Sequence, residues 1–173
     1  MRLLKTIFSD FVFFFNSIYS YLYWNSKGVR ITMSCSISTK AKIGKGCVFT
    51  GNTIITDKAE IGIYTYGYNL NIHNAIIGDF CSLAPDVKVG LDEHPMNEKS
   101  THPHFYQEIN QKKVIIENHV WLGTNSVILC GVKIGKHAVI GAGSIVNKDI
   151  EDFTLNVGVP CKLVKHLPKE NKI

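Results

Sequence analysis

A six-residue period constrains this chain more than any other feature. Counting in sixes from Ile31 reaches Ile37, Ile43, Phe49, Ile55 and Ile61, and counting from Ile116 reaches Leu122, Ile128, Ile134, Ile140 and Val146. A shorter run links Ile77, Leu83 and Val89. Four places after most of these anchors stands a small or β-branched residue, as at Cys35, Ala41, Cys47, Thr53, Ala59, Cys81, Ser126, Ala138 and Ser144. Such a spacing matches neither a helix face nor the long alternation of a hairpin. It fits short strands joined by tight corners, three strands to a coil, with the anchor pointing inward and the small residue at the corner. Coils would stack at about the 4.8 Å strand spacing, so the anchors line up as interior columns. Residues 29–159 are therefore expected to form a parallel β-helix.

The period fails twice. From Ile61 to Ile77 is a step of 16, and from Val89 to Ile116 a step of 27. The first failure predicts a local insertion or bulge within "IYTYGYNLNIHNA". The second predicts an excursion loop over residues 90–115, containing "GLDEHPMNEKSTHPHFY". Solenoids accept insertions at corners, and long loops on compact domains commonly carry binding or catalysis. His94, His102 and His104, with Pro95, Pro103, Phe105 and Tyr106 among them, make this loop the place to look for chemistry.

The two ends read differently. In residues 1–28, apolar side chains at Leu3, Leu4, Ile7, Phe8, Phe11, Phe14, Phe15, Ile18 and Leu22 follow one broad helix face, predicting an amphipathic helix. Its uncharged run falls short of the roughly 20 residues needed to span a bilayer, and no small-residue cleavage site follows. Residues 1–24 thus either cap the domain or its oligomer, or lie in a membrane interface as a peripheral anchor. Residues 160–173, "PCKLVKHLPKENKI", are expected to form a short helix or tail that stops near Pro168.

Five cysteines without a CxxC pair argue against a disulfide framework and a structural zinc site. A reducing compartment follows, so the expected location is cytoplasmic, at the inner face of the plasma membrane if the first helix touches lipid. Cys35, Cys47 and Cys81 fall in corner slots, where thiols act as small hydrophobes rather than nucleophiles. A net charge of +5 without an Arg-rich run gives no case for nucleic acid. A metal site built from His94, His102 and His104 matches no standard spacing, so none is expected.

Several motifs carry a family resemblance over roughly residues 31–167. "VWLGTNSVILCGVKIGKHAVIGAGSIVNKDI", followed by "VGVPCKLVK", is similar to the signature of hexapeptide-repeat acetyl-CoA-dependent acetyltransferases. "IGIYTYG", "IGDFCSLAP" and "STHPHFY" resemble the xenobiotic and sugar O-acetyltransferase branch. The resemblance implies a left-handed coil, an exception to the usual crossover rule, and a homotrimer with active sites between subunits. It implies that His94 is the general base, removing a proton from an acceptor hydroxyl as its oxygen attacks the thioester. No protein nucleophile is then required.

On the same resemblance the pantetheine arm of acetyl-CoA lies against Gly123, Thr124 and Ala142, with Asn147, Lys148, Lys162 and Lys165 toward the nucleotide. A backbone N–H near Gly123 is the expected donor to the thioester oxygen. From Lys112 onward nine lysines face five acids, a balance that suits an anionic ligand and equally a solvated basic face. Trp121 walls either this groove or a subunit interface. Tyr66, Tyr68 and Asn69 suit a sugar ring, or else form a tyrosine ladder in the coil wall; His102 is placed on the acceptor side or in loop packing.

The function expected is acetyl-CoA-dependent O-acetylation of a sugar hydroxyl in cell-surface polysaccharide biosynthesis. Acetylation of chloramphenicol or a streptogramin, N-acetylation of an amino sugar, and a non-catalytic trimeric scaffold remain open.

Overall fold

The computed structural model describes residues 2–106 and 111–169, with side chains from residue 11 onward. Each coil sends one short strand to each of three parallel sheets, here called faces A, B and C. Face A runs Arg30–Ile31, Val48–Thr50, Tyr66–Tyr68, Ser82–Leu83, Trp121–Leu122, Val139–Ile140, Thr154–Val157 and finally Lys162–His166. Face B holds six strands from Ser36–Ile37 to Ile145–Val146, and face C five from Lys42–Ile43 to Lys133–Ile134. Together they form a left-handed β-helix.

Two-residue strands suffice because one side chain points in and the next points out. Ile37, Ile55, Ile72, Val89, Ile128 and Val146 stack in register as the inner column of face B, and all six are buried. Ile61, Ile77, Ile116 and Ile134 form the corresponding column of face C. Corners take small residues because two strands of one coil meet there, stacked against the coils on either side. Cys47 donates to the Gly62 carbonyl at 2.9 Å and Cys81 to that of Glu117 at 3.2 Å. Burial pushes both thiols up to about 11, so neither is a nucleophile near neutral pH.

The 16-residue step contains neither an insertion nor an excursion. Gly67 and Ile72 are its inward positions, so the step is one of six followed by two of five. Gly67 leaves the column short of a side chain, and Leu70, fully buried at the next corner, fills the space: a Cβ on Gly67 would lie 2.6 Å from its Cδ1. The tract stays in the coil because volume lost at one position is restored three residues later.

Among the described side chains, Ser20 and Trp24 in the C-terminal part of the helix Arg2–Ser26 meet the coil. Ser20 donates to the Ile37 carbonyl at 2.7 Å, and Trp24, 3% exposed, covers the open end of the first coil. Gly28, at φ +79°, turns the chain into the first strand. Phe11, Phe13, Phe14 and Phe15 are each more than half exposed. Among the described residues no helix is long and apolar enough to cross a membrane.

The expected C-terminal helix is absent; Lys162–His166 is a strand, antiparallel to Thr154–Val157. All five of its residues are exposed, so backbone pairing and not burial of a side-chain face sets its conformation. The last coil leaves an open edge of unpaired N–H and C=O groups, and the chain turns at Gly158, φ +101°, to pair with it.

Candidate active site

Between Val89 on face B and Val114 on face C the chain leaves the coil, so the excursion springs from the B/C edge. Within it the His94 ring meets Tyr106, with Nδ1 2.7 Å from the phenol oxygen and the two rings nearly perpendicular. That contact closes the span 94–106 on itself. It also bears on proton chemistry. With Nδ1 held by Tyr106, Nε2 is the atom left to take a proton, and it can do so only when Nδ1–H donates to the phenol oxygen. Tyr106 thus steadies the ring, and its phenol, able to donate or to accept, serves a base at Nε2 when it accepts from Nδ1–H. Sequence reasoning missed this role; the sole signal was a phenol near the end of the same loop.

His102 serves the loop itself. It precedes the short 3-10 turn Pro103–Phe105, and its Nδ1 accepts the His104 N–H at 3.1 Å as an N-cap. The His104 ring stands edge-on to Phe105. His73, at the neighbouring corner, holds Asp92 at 3.3 Å on the outgoing stem. Among the described residues no group of three or more His, Cys, Asp or Glu is placed to hold a metal ion.

The other candidates divide among the edges of the prism. Asn147 and Lys148 follow the last face-B strand, so they occupy the B/C edge from which the His94 loop also springs, and both are exposed. Gly123, Thr124 and Ala142 stand on the A/B edge in successive coils. The outer side of face B, with Val127 and Ile145 stacked on it, lies between these two edges. Lys162 is opposite Val157 at the A/B end of its strand, whereas Lys165 is opposite Leu155.

Gly123 is explained within the chain. A Cβ there would come within 2.5 Å of the Ala142 nitrogen and 2.8 Å of the Ile140 oxygen, both backbone atoms of the next coil. Coil stacking alone therefore demands glycine. Nor is its N–H free for a ligand, since it donates to the Ile140 carbonyl at 2.8 Å. The adjacent Thr124 N–H takes no acceptor among the described residues.

Tyr66 and Tyr68 project from face A, and Asn69 turns the following corner at φ +53° with its Oδ1 accepting the Asn52 N–H at 2.8 Å. The tyrosines share a shallow cleft of about 360 Å³ with Ser82, Pro85 and Trp121, whose side chain is 53% exposed. Register places Ser82 between Tyr66 and Trp121, so a small residue floors a slot with aromatic walls. Face A is opposite the B/C edge. The structure does not bring His94 and this slot together within one chain.

The bacterial transferase hexapeptide family (six repeats) matches residues 113–148. A galactoside O-acetyltransferase of Lactococcus lactis is 37% identical over 111 residues, covering 61% of this chain and 51% of that protein. A chloramphenicol acetyltransferase of Klebsiella aerogenes is 30% identical over 139 residues, covering 72% and 66% respectively. An N-acyltransferase from Bacillus cereus, crystallised with dTDP and 3-hydroxybutyryl-CoA, superposes with a TM-score of 0.57 at 28% identity, covering 83% of this chain and 82% of its own. The chain spans about half to two thirds of the length of these curated relatives. Repeat, coil and relatives agree, and the chain belongs to the bacterial hexapeptide-repeat transferases.

Proposed function

We propose that this chain is an acetyl-CoA-dependent O-acetyltransferase acting on a sugar hydroxyl, with His94 as general base. The observation that carries the reading is the His94–Tyr106 contact, which leaves one imidazole nitrogen available on a loop projecting from the coil. Nε2 takes the proton of the acceptor hydroxyl while that oxygen attacks the acetyl carbonyl of the thioester. The C–S bond breaks, the acetyl group passes to oxygen, and the imidazolium returns its proton to the departing thiolate. Phenol oxygen at Nδ1 stabilises the imidazolium formed in between. Charge developing on the carbonyl oxygen needs a fixed donor, and the Thr124 N–H suits that role where Gly123 does not.

Acetyl-CoA is assigned to the outer side of face B. Thr124 and Ala142 line the pantetheine path beside Gly123, and Asn147, Lys148, Lys162 and Lys165 accompany the phosphates, the lysines as point charges. The sugar ring is assigned to the slot of Tyr66, Tyr68 and Trp121, with Asn69 at its margin and His102, which shares the loop of His94, reaching it only from a neighbouring subunit. Because that slot faces away from His94 in one chain, the reaction needs a neighbouring subunit. A cyclic homotrimer, the expectation for this family, supplies one.

The exposed Phe11–Phe15 segment adds a peripheral membrane contact, which suits a lipid-linked glycan acceptor in cell-surface polysaccharide synthesis. Sedimentation with anionic vesicles tests that part, and wild-type sedimentation by a chain lacking residues 1–24 would rule it out.

A second reading, acetylation of an antibiotic alcohol, is favoured by the chloramphenicol acetyltransferase match; the Bacillus cereus structure keeps amino-sugar N-acylation in view. Thiol release from acetyl-CoA, followed with a panel of galactosides, amino sugars and chloramphenicol, separates the three. Turnover with a galactoside or glycan hydroxyl alone supports the proposal. Turnover confined to chloramphenicol replaces it with the second reading, and tight acetyl-CoA binding without turnover on any acceptor leaves a trimeric scaffold.

A further inference from the structure

The excursion must hold His94 steadily although it leaves the coil between Val89 and Val114. A base whose ring wanders by about 1 Å forfeits on the order of 100-fold in rate. Tyr106 fixes the ring, yet it belongs to the same loop and cannot tie that loop to the coil. The tie is made elsewhere, where the two stems pass the B/C edge.

Gln111 stands on the returning stem with both ends of its amide engaged. Its Nε2 donates at 2.8 Å to the carbonyl of Glu93, the oxygen of the peptide unit that leads into His94. Its Oε1 accepts from the Cys130 thiol at 3.3 Å, and that thiol also reaches the Leu91 carbonyl at 3.4 Å. These partners define the amide orientation, because a flipped amide would set an oxygen against the Glu93 carbonyl and an N–H against the thiol proton at once. The backbone of Gln111 is held too, its carbonyl accepting the Asn74 side-chain N–H at 3.0 Å. Asn74 is 8% exposed, and its main chain accepts from Val114 and donates to Gly90, at the two ends of the excursion. One side chain thus links the outgoing stem, the returning stem and a coil corner, and meets the outgoing stem at the peptide bond of the proposed base.

We propose that Gln111 is a positioning residue for His94: its amide N–H anchors the Glu93–His94 peptide, while Cys130 and Asn74 hold Gln111 to the coil. This inference rests on the reading of His94 as general base. It predicts a loss in the chemical step rather than in donor binding, since Gln111 touches none of the residues assigned to acetyl-CoA.

The test compares Gln111→Met, which keeps the length and removes both polar atoms, with Gln111→Glu, which keeps an acceptor for Cys130 and removes the donor to Glu93. Both lie at a half-exposed position on the full chain, and each is measured alone and combined with His94→Ala. Both variants should turn over roughly 10- to 100-fold more slowly at saturating substrate, with KM for acetyl-CoA within about twofold of wild type and a melting temperature lowered by no more than about 4 °C for each lost bond of about 1 kcal/mol. In the His94→Ala background neither substitution should slow the residual rate further. A wild-type kcat in Gln111→Glu, a loss that comes together with a raised KM and a melt lowered beyond that margin, or an additive loss in the double variant would each overturn the inference. If His94→Ala alone retains full turnover, the general-base reading fails and this inference fails with it; if His94→Ala is inactive and Gln111→Glu is not, only the inference fails.

Discussion

Gly123→Ala separates two reasons for a glycine at the candidate donor site. If the residue is small to clear room for pantetheine, alanine should weaken acetyl-CoA binding and leave the coil intact. The structure argues the opposite. The added methyl would meet the Ala142 nitrogen at 2.5 Å, the Gly141 carbonyl carbon at 2.8 Å and the Ile140 oxygen at 2.8 Å. All three are backbone atoms, so no rotamer change relieves them. Restoring ordinary contact requires the neighbouring coil to retreat by roughly 0.9 Å, which strains the Gly123 N–H to Ile140 ladder bond. Overpacking of this kind costs about 1–3 kcal/mol, and a weakened ladder bond adds about 1 kcal/mol. The sum, about 2–4 kcal/mol, lowers the melt by roughly 4–16 °C in a chain of this size. Thermal unfolding followed by circular dichroism at one fixed protein concentration measures it, because subunit association would otherwise shift the midpoint. A variant with wild-type melting and weakened acetyl-CoA affinity would refute the reasoning and return Gly123 to the ligand.

Tyr106→Phe removes the hydroxyl at His94 Nδ1 while keeping the ring, and kcat/KM should fall about 3- to 100-fold, corresponding to roughly 0.6–3 kcal/mol for a bond to a group that becomes charged; steady-state thiol release decides. Leu70→Ala empties the volume that compensates for Gly67 and should cost about 3–5 kcal/mol, read from the urea midpoint. His137 lies in an outer stack between His119, 4.6 Å away, and Phe153, 4.7 Å away, and partial burial followed by His119 and Lys136 holds its pKa below the ordinary imidazole value, with Asp152 opposing them. The unfolded chain therefore takes up the proton first: stability is full above the ordinary value near 6.5 and falls as the pH drops below it. His137→Gln should reduce the loss of melting temperature between about pH 7.5 and pH 5.5; an identical loss in both proteins would dismiss the stack as its source.

The interior was legible because a coil with two-residue strands must repeat its anchors, and one misplaced residue exposes a whole column. Ile55, Ile128 and Ile134 are inward where the period puts them. Counting failed beyond Gly67, where two steps of five follow: an anchor without a side chain is invisible as an anchor, and Leu70 looks like an intruder until its volume is placed. The C-terminal strand was hidden for another reason. Lys162–His166 has no buried face, so its conformation comes from the open edge beside it, which exists only once the coil is built. The same holds at the candidate site. The period marked the excursion and resemblance marked His94, but Tyr106 and Gln111 matter through contacts 12 and 18 residues away in sequence, and no local pattern announces such pairs. Strand register, which no local pattern announces, sets Trp121 across Ser82 from Tyr66.

The central claim is that one imidazole on this loop takes the acceptor proton. The most direct measurement is acetyl-CoA turnover by His94→Ala, with an acceptor that wild type uses and with acetyl-CoA affinity and melting temperature checked in parallel. A general base at this position predicts turnover slower by about 100- to 10,000-fold with affinity and fold retained. An alanine protein that transfers acetyl groups at the wild-type rate would contradict it.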